Sequence, residues 1–141
     1  MPCFSAIGYV RTDAGSLPRH WSMSDVRGRL EILPEYASGL EGIEPGRQIV
    51  VLFHFHQSPD FQPNGLAQTP PHATAPRGVF STCSPWRPNA IGMSVVTVLQ
   101  RQGNLVQVQG IDMRDGTPIL DIKPHIAWRG PAEPSAPGGD R

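Results

Sequence analysis

The amino-acid sequence predicts a mainly all-β domain, a small barrel or sandwich with long loops and at most short helical turns. Three observations carry that expectation. Short segments rich in β-branched and apolar residues recur along the chain, some strictly alternating and some continuous. The turn formers, 15 glycines and 16 prolines in 141 residues, cluster between those segments rather than inside them. Helical periodicity is weak throughout.

Taken in order, residues 4–11 (FSAIGYVR) are rich in strand formers, and residues 27–33 (RGRLEIL) alternate cleanly. The alternation puts Leu30 and Ile32 on one face and Arg29 and Glu31 on the other. Residues 34–43 (PEYASGLEGI) admit a short helical turn, whose length Gly39 and Gly42 limit. Residues 48–56 (QIVVLFHFH) form a nearly continuous apolar strand, expected at the centre of a sheet. Period two places His54 and His56 on one face of it and Phe53 and Phe55 on the other. Residues 57–77 read as a long, Pro-rich polar loop, of a length that is either functional or disordered. Residues 93–102 and 105–112 are β-branched runs joined by Gly103-Asn104, a hairpin signal, with Val106 and Val108 alternating against Gln107 and Gln109. Asp115-Gly116 marks another turn, and residues 118–122 start the last strand. Residues 131–141 (PAEPSAPGGDR) have the composition of a disordered end, so a single domain is expected over residues 1–130.

Charge and cysteine content narrow the function classes. Twelve cations balance twelve anions, which excludes a broad basic coat for nucleic-acid backbone; a nucleic-acid partner then needs a local patch or a second subunit. No apolar run is long enough to span a bilayer, and the first residues carry no secretory pattern. With Cys3 and Cys83 far apart and forming no metal-type pair, a cytoplasmic protein with two free thiols is expected.

Several motifs resolve to plain structure. GLEGIEPG has neither the spacing nor the context of a phosphate-binding loop. His54 and His56 share a face, with His72 or His125 as a conceivable third ligand, but nothing in the sequence fixes that ligand, and no metal site is predicted. Cys83 lacks the partner pattern of a nucleophile. Asp112, Asp115 and Asp121 bracket DGTP; turn chemistry accounts for Asp115, whereas Asp121 sits inside an apolar strand and needs a partner or a role. Lys123, two residues on, shares its face. The run STCSPWRPNAIGMSVV (residues 81–96) is odd, a rigid polar loop set directly against an apolar strand. Pro85 and Pro88 stiffen it and would hold Arg87 and Asn89 as fixed polar groups.

Three stretches, IGYVRT, GVFSTCSPWRPNAIGMSVV and GIDMRDGTPILDIKPH, occur in this order and closely resemble the TsaA-like (TrmO) family of S-adenosylmethionine-dependent methyltransferases. The resemblance runs from Phe4 to His125. It implies a small TsaA-like β-barrel, a homodimer, and binding of S-adenosyl-L-methionine without a Rossmann fold. The implied reaction is methylation of the exocyclic nitrogen of threonylcarbamoyl-adenosine beside the tRNA anticodon. Alternatives are another methyl acceptor, or a barrel that binds the donor or a nucleoside without catalysis. Carried over by position, the resemblance assigns the donor to Pro18, Arg19 and His20, then Phe55 and His56, then Cys83 and Met93, and last Met113, Arg114, Asp115 and Gly116. His20 stands where the family has glutamine, and Cys83 where it has arginine. Asp121 is the candidate base, with Lys123 to orient it.

Overall fold

The computed structural model describes residues 2–131, so the 132–141 part of the expected tail lies outside the described residues. Six strands close on themselves in the order β1 (Gly8–Arg11), β2 (Arg27–Ile32), β7 (Leu105–Gln109), β6 (Ile91–Gln102), β3 (Gln48–His54), β8 (Pro118–Pro124). Every neighbouring pair is antiparallel, including β1 with β8, which seals the ring. The expected all-β barrel is what forms. The residue-level reason is alternation: Val10, Leu30, Ile49, Val51, Phe53, Val96, Val98, Val106, Val108 and Ile119 all point inward and make one core.

Two bulges bend the wall. Leu99 is the extra residue where β6 passes from Val98 (opposite Val108) to Gln100 (opposite Gln107). Leu120 is the extra residue on β8, where Leu52 faces Asp121 but Phe53 faces Ile119. An unpaired residue adds local twist, which closure of so small a barrel requires. The second bulge also explains the charge inside the last strand. It turns Asp121 and Lys123 to the outer face, where Lys123 Nζ lies 2.9 Å from Asp121 Oδ2.

Strand ends differ from the sequence reading in both directions: β6 starts at Ile91 rather than residue 93, whereas β7 stops at Gln109 rather than residue 112. The first strand is confined to Gly8–Arg11 rather than residues 4–11, and β3 stops at His54, with Phe55 held by its N–H to Ala90 O (2.8 Å). The β6–β7 hairpin turns on Gly103 at φ +63°, the left-handed geometry that a two-residue loop with glycine first requires. Residues 34–43 supply the expected helical turn as a 3-10 segment, Pro34–Leu40. The 57–77 loop is more built than its composition suggests: a turn at Pro63–Leu66 precedes β4 (Ala67–Gln68), which pairs with β5 (Arg77–Gly78).

That excursion docks on the odd 81–96 run. Trp86 lies against Gly65 so closely that a Cβ there would sit 3.0 Å from the indole, and its ring centroid is 5.7 Å from that of Phe61. Trp86 Nε1 donates to Asp60 O (2.9 Å), and Gln68 Nε2 donates to both Gly65 O and Trp86 O (2.7 Å each). Arg87 Nη1 donates to Thr82 O (3.0 Å) and Ser84 O (3.1 Å), the carbonyls on either side of Cys83. The run is rigid because it is the dock for a long loop, and much of its polarity is spent on its own backbone.

Candidate functional site

Between β1 and β2 the chain makes a strap, residues 13–24, across one mouth of the barrel. The segment after β7 clamps both ends of it. At the start, Thr12 N–H donates to Asp115 Oδ1 (3.0 Å), and Gly116 N–H donates to Val10 O (2.7 Å). At the end, Ser24 Oγ donates to Ile111 O (2.5 Å), while Gly110 and Ile111 N–H both donate to Val26 O. Asp115-Gly116 is a turn closed by Thr117 N–H to Arg114 O (3.1 Å), with Gly116 at φ +83°. That φ is required at the third position of a type II turn and favours glycine there.

Inside this frame a polar cluster forms. The row of inward residues on β6 runs Gly92, Ser94, Val96, Val98, and Ser94 is wholly buried. Its hydroxyl bonds Asp112 Oδ1. Burial pushes the Asp112 carboxyl above its ordinary range, opposed in part by the Ser94 hydroxyl, the nearby His20 imidazole and the Trp21 backbone. His20 Nδ1 accepts from Ser22 N–H (3.3 Å) and lies 2.7 Å from Ser22 Oγ. A backbone N–H only donates, so Nδ1 carries the lone pair and Nε2 carries the proton of the neutral ring. Phe55 sits half-buried over Gly92, one step along the same row.

The carried-over residues fall into place unevenly. Pro18 and His20 are half-buried on the strap and Arg19 is exposed. Phe55 and His56 follow the end of β3 at the same mouth, and the Arg114 guanidinium reaches over to Gln57 Oε1, tying the 55–57 and 113–116 segments together. Met113 has its side chain in the core, 2% exposed, so only its backbone is on offer. Asp115 spends one oxygen on the strap. Met93 is 52% exposed on the outer face, one residue from Ser94. Cys83 is exposed on the docked loop, which Ser58 Oγ ties to the 55–58 turn through Pro85 O (3.2 Å).

Asp121 and Lys123 stand apart from the mouth. They line a cavity of about 580 Å³ together with Glu35, Tyr36 and Arg47, and none of the donor residues line it. On the outer face, Asp121 and Met93 flank Leu52 from β8 and β6, so two strand spacings, roughly 10 Å, separate them.

Sequence reasoning named Asp112 only as one of three acids bracketing DGTP and passed over Ser94. The signal was there: a serine in a row of inward positions otherwise filled by glycine and valine is a polar group in a core, and such a group needs a partner.

The comparisons with known proteins agree with this architecture. The sequence profile of the tRNA-methyltransferase O N-terminal domain matches residues 11–129. An S-adenosyl-L-methionine-binding protein of Archaeoglobus fulgidus is 42% identical over 106 residues, 75% of this chain and 74% of that protein. The tRNA (adenine(37)-N6)-methyltransferase of Mus musculus is 44% identical over 94 residues, 67% of this chain and 21% of the mouse protein. The crystal structure of TrmO from Pseudomonas aeruginosa superposes with a TM-score of 0.71 at 35% identity, covering 89% of this chain and 56% of that one. Three further relatives are spanned over 69%, 32% and 57% of their length, so the match delivers a domain rather than those whole proteins. A closed six-stranded barrel, a strap clamped by the segment around DGTP, and a profile match over nearly all the described residues lead to one assignment: the chain belongs to the tRNA-methyltransferase O N-terminal domain family.

Proposed function

We propose that this protein is an S-adenosyl-L-methionine-dependent methyltransferase that methylates the exocyclic nitrogen of threonylcarbamoyl-adenosine next to the tRNA anticodon, in the cytoplasm. The observation that carries the reading is the barrel mouth. There the strap bearing Pro18–His20, the turn after β3 bearing Phe55 and His56, and the 113–116 turn are tied to one another by named hydrogen bonds. The mouse relative's name specifies N6 of adenine 37 in a tRNA and the Archaeoglobus relative's name specifies the donor; the threonylcarbamoyl group on that adenosine is the proposal's own.

The residues present fit such a donor. Phe55 offers an apolar ring at the mouth, and the His20 Nε2–H offers a directed donor. When bound, the donor supplies an electrophilic methyl on a sulfonium. What the protein must add is alignment of the acceptor nitrogen behind that methyl, which alone lowers a barrier by several kcal/mol. A strap pinned at both ends holds such a geometry better than a free loop.

The active species in this proposal is a homodimer with the donor site at or beside the interface. The outer face of β3 and β6 supports it. Val50 and Leu52 alternate outward from the core positions, and Ile91 and Met93 are 43% and 52% exposed, so an apolar stripe crosses two strands. Met93 lies on that stripe, which lets a second copy complete the site. Among the described residues no helix is long and apolar enough to cross a membrane.

Mass analysis of tRNA nucleosides from a deletion strain tests the reaction. Loss of the methylated threonylcarbamoyl-adenosine, restored by the wild-type gene, is expected; unchanged nucleosides would reject this acceptor. The exposed Cys83 keeps a second reading in view, donor binding without transfer. Arginine in its place has several donors where cysteine has one weak one, and Arg87 is already engaged by the carbonyls beside it. Cys83→Arg is therefore expected to tighten S-adenosylmethionine binding by about one to two orders of magnitude in calorimetric titration. An unchanged affinity in a folded variant would remove position 83 from the site.

A further inference from the structure

Among the described residues three acids follow β7 in the chain, and the structure separates them. Asp115 is exposed and gives one oxygen to the Thr12 N–H that starts the strap. Asp121 is neutralised by Lys123 and also caps Ile122 N–H (2.9 Å). Asp112 is different. It is half-buried, its side-chain partner is the neutral Ser94 hydroxyl, and among the described residues it makes no ion pair. A carboxylate drawn out of water without a cation is electrostatically incomplete.

Its position gives that incompleteness a direction. Ser94, the residue after Met93, bonds it, His20 and Trp21 approach it from the strap, and Met113 follows it in the chain. Asp112 therefore touches or adjoins three of the segments assigned to the donor, and it belongs to none of those assignments. We propose that the Asp112 carboxylate, held by Ser94, is the counter-charge for a cationic group of the methyl donor.

The proposal rests on the donor-site reading above and sharpens it. S-adenosylmethionine carries two cations, the sulfonium and the α-ammonium, and either satisfies a lone carboxylate. If the sulfonium is the one, the contact exists only before transfer. The methyl–sulfur bond breaks, its electron pair stays on sulfur, and the neutral thioether left behind has no charge to hold. Substrate would then bind in preference to product at this residue. Of the titratable groups nearby, the His20 imidazole gives the carboxylate partial electrostatic support from the strap, to which the donor's cation would add, while Arg19 and Arg114 are exposed.

Calorimetry on the full chain distinguishes the cases with three ligands. S-adenosylmethionine has both cations, S-adenosylhomocysteine keeps the ammonium alone, and 5′-methylthioadenosine has neither. Asp112→Asn keeps an acceptor for Ser94 while removing the charge. It is expected to weaken S-adenosylmethionine about 10- to 100-fold and to leave methylthioadenosine within about twofold. An equal loss for S-adenosylhomocysteine assigns the ammonium; its retention assigns the sulfonium. Asp112→Glu is expected to restore part of the preference. Equal weakening of all three ligands, or no change in any, overturns the proposal. Should the asparagine variant not fold, the wild-type ratio of S-adenosylmethionine to methylthioadenosine affinity still reads the charge, because a charge pair weakens with salt; a salt-independent ratio overturns it. Wild-type protein that binds none of the three overturns the donor-site reading itself, whereas tight wild-type binding untouched by Asp112→Asn overturns only the role of Asp112.

Discussion

At the scale of single residues, the molecule shows where its core has no slack and where it carries a cost. Gly92 has no slack: a Cβ there would lie 2.3 Å from Phe53 Cζ and 2.8 Å from Phe55 Cζ. Those rings meet edge to face at 5.0 Å and fill the space a side chain would need. Gly92→Ala is therefore expected to cost about 1–3 kcal/mol through overpacking, seen as a lower urea midpoint at unchanged m. Asp112 carries the cost. Its folded-state pKa lies above the ordinary aspartate value, first through burial, so the folded chain holds this proton more tightly than the unfolded chain does. The associated stability is fully present below the ordinary aspartate pKa and is lost as pH rises through the raised one. Asp112→Asn, neutral at every pH, is expected to be more stable than wild type at pH 7. The gap should close as pH falls toward about 4. A variant less stable than wild type at neutral pH would show that the charge stabilises the fold. A carboxylate that costs stability and gains binding is the usual mark of a functional group.

At the scale of elements, the 57–77 excursion depends on one side chain. Trp86 covers Gly65, meets Phe61 and donates to Asp60 O. Trp86→Ala removes that dock, and a cost of about 2 kcal/mol is expected, less than for a fully buried tryptophan. Limited trypsin digestion reads the local effect: cleavage after Arg77, at the end of the excursion, should accelerate severalfold while the barrel fragment persists. Equal rates in wild type and variant would mean that β4 and β5 hold the loop unaided. The sequence made some of these elements legible and hid others. The strictly alternating strand (RGRLEIL) was read nearly to the residue and the glycine-first hairpin turn was placed correctly, although its second strand stops at Gln109, because burial on one face dictates the alternation. The docked loop was not legible, since its contacts join residues such as Gln68 and Trp86 that have no periodic relation. The strap was equally hidden: its clamps, Ser24 to Ile111 and Thr12 to Asp115, are single long-range hydrogen bonds with no pattern around them. Of the site, the resemblance supplied positions, whereas the Ser94–Asp112 pair required a three-dimensional register, Val51 opposite Ser94, to place it in the interior.

At the scale of the whole molecule, the proposed homodimer rests on the outer stripe of Val50, Leu52, Ile91 and Met93. Leu52→Lys places a charge at its centre without touching the core face of β3. Wild type is expected to sediment as a dimer at micromolar concentration and the variant as a monomer with weaker donor binding. A wild-type monomer that binds the donor tightly would reject the dimer and the shared site with it.

The pairing of β1 with β8 has a consequence for synthesis. Gly8 lies opposite Ile119, and Ile7 N–H donates to Ile119 O, so the first strand made waits for the last before the ring can shut. Until residues 118–124 have left the ribosome, β1 pairs only with β2, and β3 lacks one of its two neighbours. Through most of translation the nascent chain therefore exposes two open sheet edges and an unfinished core, the state in which chains associate wrongly. Closure is a single late event, with loop entropy spent across more than a hundred residues before the final contacts repay it.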